Sequence, residues 1–97
     1  MKLNPSTLDF IKKTILKRLA PETAQIFLFG SYAKGIAHDK SDIDIAIKMN
    51  GPLPTGKWAL LEDDFENSDL LPKVDLVDYN RVTDGFKKII DEQGLPL

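Results

Sequence analysis

Apolar positions recur along this chain with two different periods, and the switches between them lay out the elements. Leu8, Ile11, Ile15 and Leu19 fall on one helical stripe, while Lys12, Lys13, Lys17 and Arg18 mostly lie elsewhere, which predicts an amphipathic helix over 5–19. Asn4 can cap it with Pro5 at the first helical position, or Ser6 can cap it with Asp9 three residues on. Lys17 and Arg18 sit in its last turn, where the helix dipole favours cations, and Pro21 stops it. Residues 25–29 form a short, nearly continuous apolar run, read as a buried strand that ends at a Gly30-Ser31 turn and a short helix through Ala33. A polar loop over 36–40 follows. The period then becomes two, with Ile43, Ile45 and Ile47 alternating against Asp42, Asp44, Ala46 and Lys48, which predicts a strand over 42–48.

Residues 49–54 carry two prolines and a glycine, the strongest break in the chain, and predict a turn near the candidate site. The helical period returns over 56–67, where Trp58, Leu61 and Phe65 make an apolar stripe and Glu62, Asp63, Asp64 and Glu66 an acidic side. Trp58 shares the stripe of Leu61 and Phe65, so it is read as core rather than as a base-stacking platform. A third strand is predicted over 74–79, after Pro72, and a last helix over 83–93 with Phe86, Ile89 and Ile90 apolar. Gly94 is expected to stop that helix in the left-handed conformation, leaving Leu95-Pro96-Leu97 as a packed or frayed tail.

Strand alternation also sorts the acids. Residues two apart in a strand point the same way, so Asp42 and Asp44 project together while the three isoleucines take the core side. In the third strand Val74 and Leu76 match that core side, which places Asp75 on the carboxylate face and turns Asp78 away from it as a structural residue. Adjacent carboxylates repel, and they make chemical sense where divalent cations lie between them and a polyphosphate. Gly30 lets the backbone approach a ligand, Ser31 adds a hydroxyl donor, and Lys34 leaves a cation beside them. His38, next to Asp39 in the polar loop, reads as an exposed loop residue rather than a base.

Composition narrows the classes. Ninety-seven residues suffice for one domain, assigned to residues 1–97. Thirteen basic against fifteen acidic residues give a net charge of −2, so no general attraction for nucleic acid is expected. With no cysteine and one histidine, disulfides, thiolate sites and histidine-rich metal sites are excluded. No long apolar run predicts a membrane span, and the start, Met1-Lys2-Leu3-Asn4-Pro5, lacks the apolar core of a secretion signal, so the cytoplasm is the expected location.

Gly30-Ser31, ten intervening residues and then Asp42-Ile43-Asp44, with Val74-Asp75 later, resembles the signature of the polymerase-β-like nucleotidyltransferases, nearest to the minimal antitoxin-type members that pair with helical HEPN-domain proteins. The resemblance implies an α/β (α+β) fold, a small mixed sheet with helices packed mainly on the face opposite the carboxylates. It implies that Asp42, Asp44 and Asp75 are the catalytic and metal-binding residues, holding two Mg²⁺ ions, with Mn²⁺ as the alternative, and that Gly30, Ser31, Lys34 and Ser41 bind the nucleotide. Relatives often carry arginine where Tyr32 and Lys34 stand, so a phosphate contact from Lys34 would be monodentate. The implied activity is transfer of AMP from ATP to a tyrosine hydroxyl of a HEPN-type toxin partner. Two other readings stay open: an antitoxin that acts by contact alone, and nucleotidyl transfer to a small hydroxylated molecule with a partner subunit completing the acceptor pocket.

Overall fold

In a computed structural model, which describes residues 3–51, 53, 55–70 and 72–97, the elements run α1 (Pro5–Leu16), β1 (Ala24–Phe29), α2 (Gly30–Lys34), β2 (Ile43–Met49), α3 (Lys57–Glu66), β3 (Val74–Asp78), a 3₁₀ turn (Tyr79–Arg81), α4 (Asp84–Gln93) and β4 (Leu95–Pro96). The first two residues of the chain, and the two prolines of the predicted turn over 49–54, lie outside the described residues. The sheet has the order β3-β2-β1-β4, with β1 antiparallel to both β2 and β4, and β2 parallel to β3. This mixed sheet carries the fold class that the resemblance implies.

One side of the sheet makes the main core. Ile43, Ile45 and Ile47 are fully buried and pack with Ile26 and Leu28 of β1, Ile11 and Ile15 of α1, and Leu61 and Phe65 of α3. Full burial of an isoleucine side chain contributes about 1.5–3 kcal/mol, so the three of β2 fix which way the strand faces, and with it the acids between them. Trp58 packs at the margin of this cluster, as its stripe predicted.

The carboxylate face is less open than expected. Helix α4 lies on it: Ile90 is buried against Phe29 and Ala46, and Phe86 meets Phe29 edge-on, with ring centroids 5.9 Å apart. Helices α1 and α3 pack on the opposite face, and α4 covers only the half of this face where β2 offers Ala46 rather than Asp44.

The helix ends differ in detail from the sequence expectation. Helix α1 ends at Leu16, and both Arg18 and Leu19 donate their N–H to the Ile15 carbonyl as the last turn tightens. Asn4 is its cap, its Oδ1 accepting from the Ser6 N–H at 2.9 Å. Gly94 is extended, with φ −67° and ψ 133°, not left-handed. A Cβ at Gly94 would stand 2.6 Å from the Ile90 carbonyl oxygen and 3.3 Å from Phe27 Cβ, so close passage over β1 selects the glycine. That passage lets the supposed tail pair with β1 as β4, and the Leu97 N–H donates to the Ile26 carbonyl at 3.0 Å.

Arg18, the basic residue beyond the end of α1, makes a paired contact that the helical stripe did not announce. Its Nε and Nη2 donate to Asp64 Oδ2 and Oδ1, each at 2.9 Å, tying α1 to α3. The Arg18 guanidinium holds the Asp64 carboxyl below its ordinary range. A carboxyl whose folded value is lowered lends stability above the unfolded value and loses it as pH falls through the folded one. The variant Asp64→Asn is therefore expected to melt below the wild type near neutral pH. The gap should close as acid protonates Asp64, measured as melting temperature from about pH 7 to about pH 2.5.

Candidate active site

Three strands bring the predicted site together at one end of the sheet. Phe29, the last residue of β1, pairs with Asp44 near the start of β2, and Asp44 pairs with Asp75 of β3. Asp42 lies just ahead of β2, exposed, and Asp44 is half-buried. The glycine turn, Asp42, Asp44 and Asp75 thus meet because antiparallel β1–β2 pairing joins the end of one strand to the start of the next, while parallel β2–β3 pairing keeps starts together.

Gly30 begins α2 with φ +74°, a conformation costly for any residue with a Cβ. It also has no room for one, since a Cβ would run into the Asp44 carboxylate. The backbone of the turn and the central acid are in contact, which the spacing alone could not say. Ser31 is half-buried, and its hydroxyl makes no hydrogen bond with any described residue. Lys34 is exposed at the end of α2. Ser41 has a structural duty: its Oγ accepts the His38 N–H at 3.0 Å and its own N–H donates to the His38 carbonyl at 3.0 Å, which closes the loop that delivers Asp42. His38 is exposed in that loop, as expected. Tyr32 turns away from the nucleotide side and is buried in the main core, its hydroxyl without a hydrogen-bond partner among the described residues.

The electrostatics centre on Asp44. Burial, then the charge of Asp75, then that of Asp42 push its carboxyl above the ordinary range. Among the described residues, no three acidic or imidazole side chains converge tightly enough to cage an ion by themselves. Mutually repelling carboxylates have no reason to converge without a counter-charge. The donor set nonetheless fits one: oxygen ligands only, crowded by like charge at one end of a sheet, suit a hard divalent cation such as Mg²⁺. A folded value raised above the unfolded one means stability that is present in acid and lost as pH rises through the folded value. Asp75→Asn is accordingly expected to raise the melting temperature by a few degrees near pH 8 without divalent ions, with the gain shrinking as pH falls and Asp44 takes up its proton.

Asp78 stays outside the cluster. Its side chain accepts the Asn80 N–H at 3.0 Å and caps the 3₁₀ turn, the structural part read from its alternation. Asn80 then reaches across to β2, its Nδ2 donating to the Met49 carbonyl and its Oδ1 accepting the Met49 N–H, both at 3.0 Å. A cleft of about 740 Å³ opens at that far end beside Trp58, Met49 and Arg81. It contains neither the glycine turn nor Asp42, Asp44 or Asp75; the chemistry, not the volume, locates the site. Sequence reasoning passed over Glu62 and Glu66 of α3 as solvated, yet with Asp75 they line a smaller pocket of about 140 Å³ against β3. Their i, i+4 spacing beside Phe65 was the available signal.

A mixed sheet with a glycine-serine turn against Asp44, Asp75 in register beside it and Asp42 just ahead of the same strand is the kind of arrangement a polymerase-β-type nucleotidyltransferase would use. The chain belongs to that family: residues 11–97 match the family described as Polymerase beta, Nucleotidyltransferase. It is 40% identical over 80 residues to the probable protein adenylyltransferase MntA of Haemophilus influenzae, covering 82% of this chain and 69% of that protein. Among solved structures, it is similar to a toxin–antitoxin crystal structure with AMP-PNP (TM-score 0.71, 31% identity, 97% of this chain and 72% of that chain). It is also similar to the structure of a tri-AMPylated Shewanella oneidensis HEPN toxin in complex with MNT antitoxin (TM-score 0.65, 26% identity, 94% and 68%). The chain spans about seven-tenths of each of these relatives.

Proposed function

We propose that this chain is the adenylyltransferase partner of a HEPN-type toxin, a single minimal nucleotidyltransferase domain that moves AMP from ATP onto a tyrosine hydroxyl of the toxin in the cytoplasm. The observation that carries the reading is the register Phe29–Asp44–Asp75, which puts the glycine turn and the acids side by side across three strands. That the relatives in hand are protein adenylyltransferases and toxin–antitoxin complexes supports the choice of acceptor. Among the described residues no helix is long and apolar enough to cross a membrane.

In this reading Gly30 and Ser31 hold the β- and γ-phosphates through backbone and hydroxyl donors, and Lys34 adds a cation at their rim. Asp42, Asp44 and Asp75 would together hold the divalent ions, for which Mg²⁺ is the natural choice. Bound there, the ions would supply charge neutralisation for the triphosphate and a lowered pKa for the attacking hydroxyl. Asp75, the most exposed of the strand acids, is placed to take the phenolic proton. Ser41 acts through the loop, holding Asp42 in place by its contacts with His38. Contact-only inhibition would leave the crowding of the acids around Asp44 without a use, and the pocket that Asp75 lines, about 140 Å³, is small for a small-molecule acceptor.

The test is isotopic. Incubation of the toxin partner with this protein, Mg²⁺ and ATP labelled at the α-phosphate should label the partner, whereas ATP labelled at the γ-phosphate should not. Label from the γ-phosphate alone would indicate phosphoryl transfer and contradict the proposal.

A further inference from the structure

Among the described residues the sheet leaves one edge open, and it is the edge that borders Asp75. On the other side β4 covers part of β1, at Phe27 and Leu28, but no described strand follows β3. Ile43 donates its N–H to the Lys73 carbonyl at 2.8 Å, so residues 73, 75 and 77 turn their backbone groups toward β2. Val74 and Leu76 therefore turn theirs outward, a row of donors and acceptors that can receive another strand.

Adenylyl transfer, on the function proposed above, fixes which flank the acceptor must use. The attacking and leaving oxygens stand on opposite sides of the α-phosphorus. With the phosphate turn on the β1 flank, pyrophosphate departs toward β1 and the hydroxyl enters from β3. The alternation of an added strand then sorts its side chains. One set would lie on the carboxylate face beside Asp75. The next residues on either side would lie on the opposite face, over the pocket of about 140 Å³ between Phe65, Val74 and Leu76. Glu62 and Glu66 rim that pocket against the single Lys73, so it suits an aliphatic stem with a cationic head.

We propose that the acceptor protein docks as an extended segment added to the outer edge of β3, with a tyrosine beside Asp75 and lysine or arginine at the positions next to it. Neighbouring strands lie about 4.8 Å apart, so the added strand is roughly 10 Å from Asp44, which favours tyrosine over the shorter serine or threonine. In the step itself the phenolic oxygen forms a bond to the α-phosphorus as the bond to pyrophosphate breaks, and the phenolic proton passes to the Asp75 carboxylate.

The experiment measures steady-state adenylylation of synthetic decapeptides centred on Lys-Tyr-Lys, Thr-Tyr-Thr or Lys-Ser-Lys, with ATP and Mg²⁺, beside the folded toxin partner. Val74→Pro removes an outward N–H at the first residue of β3 and leaves pairing with β2 intact. It should raise KM for Lys-Tyr-Lys at least about tenfold with kcat and the KM for ATP unchanged. Glu62→Gln combined with Glu66→Gln should raise KM for Lys-Tyr-Lys about fivefold or more but leave Thr-Tyr-Thr unaffected, and it decides the matter if Val74→Pro does not fold. Lys-Ser-Lys should remain unmodified. Unchanged KM in both variants overturns the docking mode, as does modification of the folded partner without modification of any peptide. A wild-type dimer that Val74→Pro dissociates overturns it too, since a second copy would then hold the edge. Transfer to neither peptide nor partner, with ATP still bound, refutes the adenylyltransferase reading itself.

Discussion

Asp44→Asn is expected to lower adenylyl transfer by at least about a thousandfold while the protein stays folded, because Asp44 is the one acid that touches both halves of the site. It pairs with Asp75 across β2–β3, pairs with Phe29 across β1–β2, and fills the space where Gly30 has no Cβ. The substitution keeps the shape and removes the charge, so the fold should tolerate it. Relief of the repulsion that raises the Asp44 pKa should in fact make the metal-free variant melt slightly higher than the wild type. Loss of transfer together with a higher melting temperature is a signature that a purely structural Asp44 would not give. Activity is measured as AMP incorporated into the partner, and folding by circular dichroism on the same preparation.

The second large effect is expected at Gly30. Gly30→Ala faces two separate obstacles, a φ of +74° and a Cβ directed into the Asp44 carboxylate. The backbone part alone costs on the order of 1–2 kcal/mol, and displacement of Asp44 adds to it. For a domain of this length, each kcal/mol lowers the melting temperature by about 4–8 °C. The variant should therefore melt roughly 5–15 °C lower and lose transfer, whereas Gly35→Ala meets no atom within 4 Å and should suffer only the backbone part. Thermal melts of the two alanine variants side by side separate steric conflict at the site from backbone strain alone.

How far the sequence reached depended on the kind of information needed. Periodicity was enough for β2, because Ile43, Ile45 and Ile47 could face only a core and so committed Asp44 to the other side. It was enough for Asp75 too, through the matching of Val74 and Leu76. What stayed hidden required knowledge of distant contacts. The Arg18–Asp64 pair spans 46 positions, and no local pattern marks it. β4 is two residues long, too short for any period, and Gly94 had the composition of a helix stop although its contacts with Ile90 and Phe27 are what select it. Half of the carboxylate face is covered by α4 because β2 changes from Asp44 to Ala46 within one alternation. That switch was visible in the sequence, but its consequence depended on where α4 packs. Ser41 shows the same limit from the other side, since the motif placed it near the nucleotide and the structure adds that it closes the His38 loop.

The central claim is that Asp42, Asp44 and Asp75 form an adenylyl-transfer site acting on a protein partner. Intact-mass spectrometry of the toxin partner after incubation with this protein, Mg²⁺ and ATP tests it most directly, with the Asp42→Ala/Asp44→Ala double variant as control. The account predicts one or more AMP-sized increments with the wild type and none with the variant. An unmodified partner that still forms a stable complex with the wild-type protein would contradict it, as would increments that persist when both acids are removed.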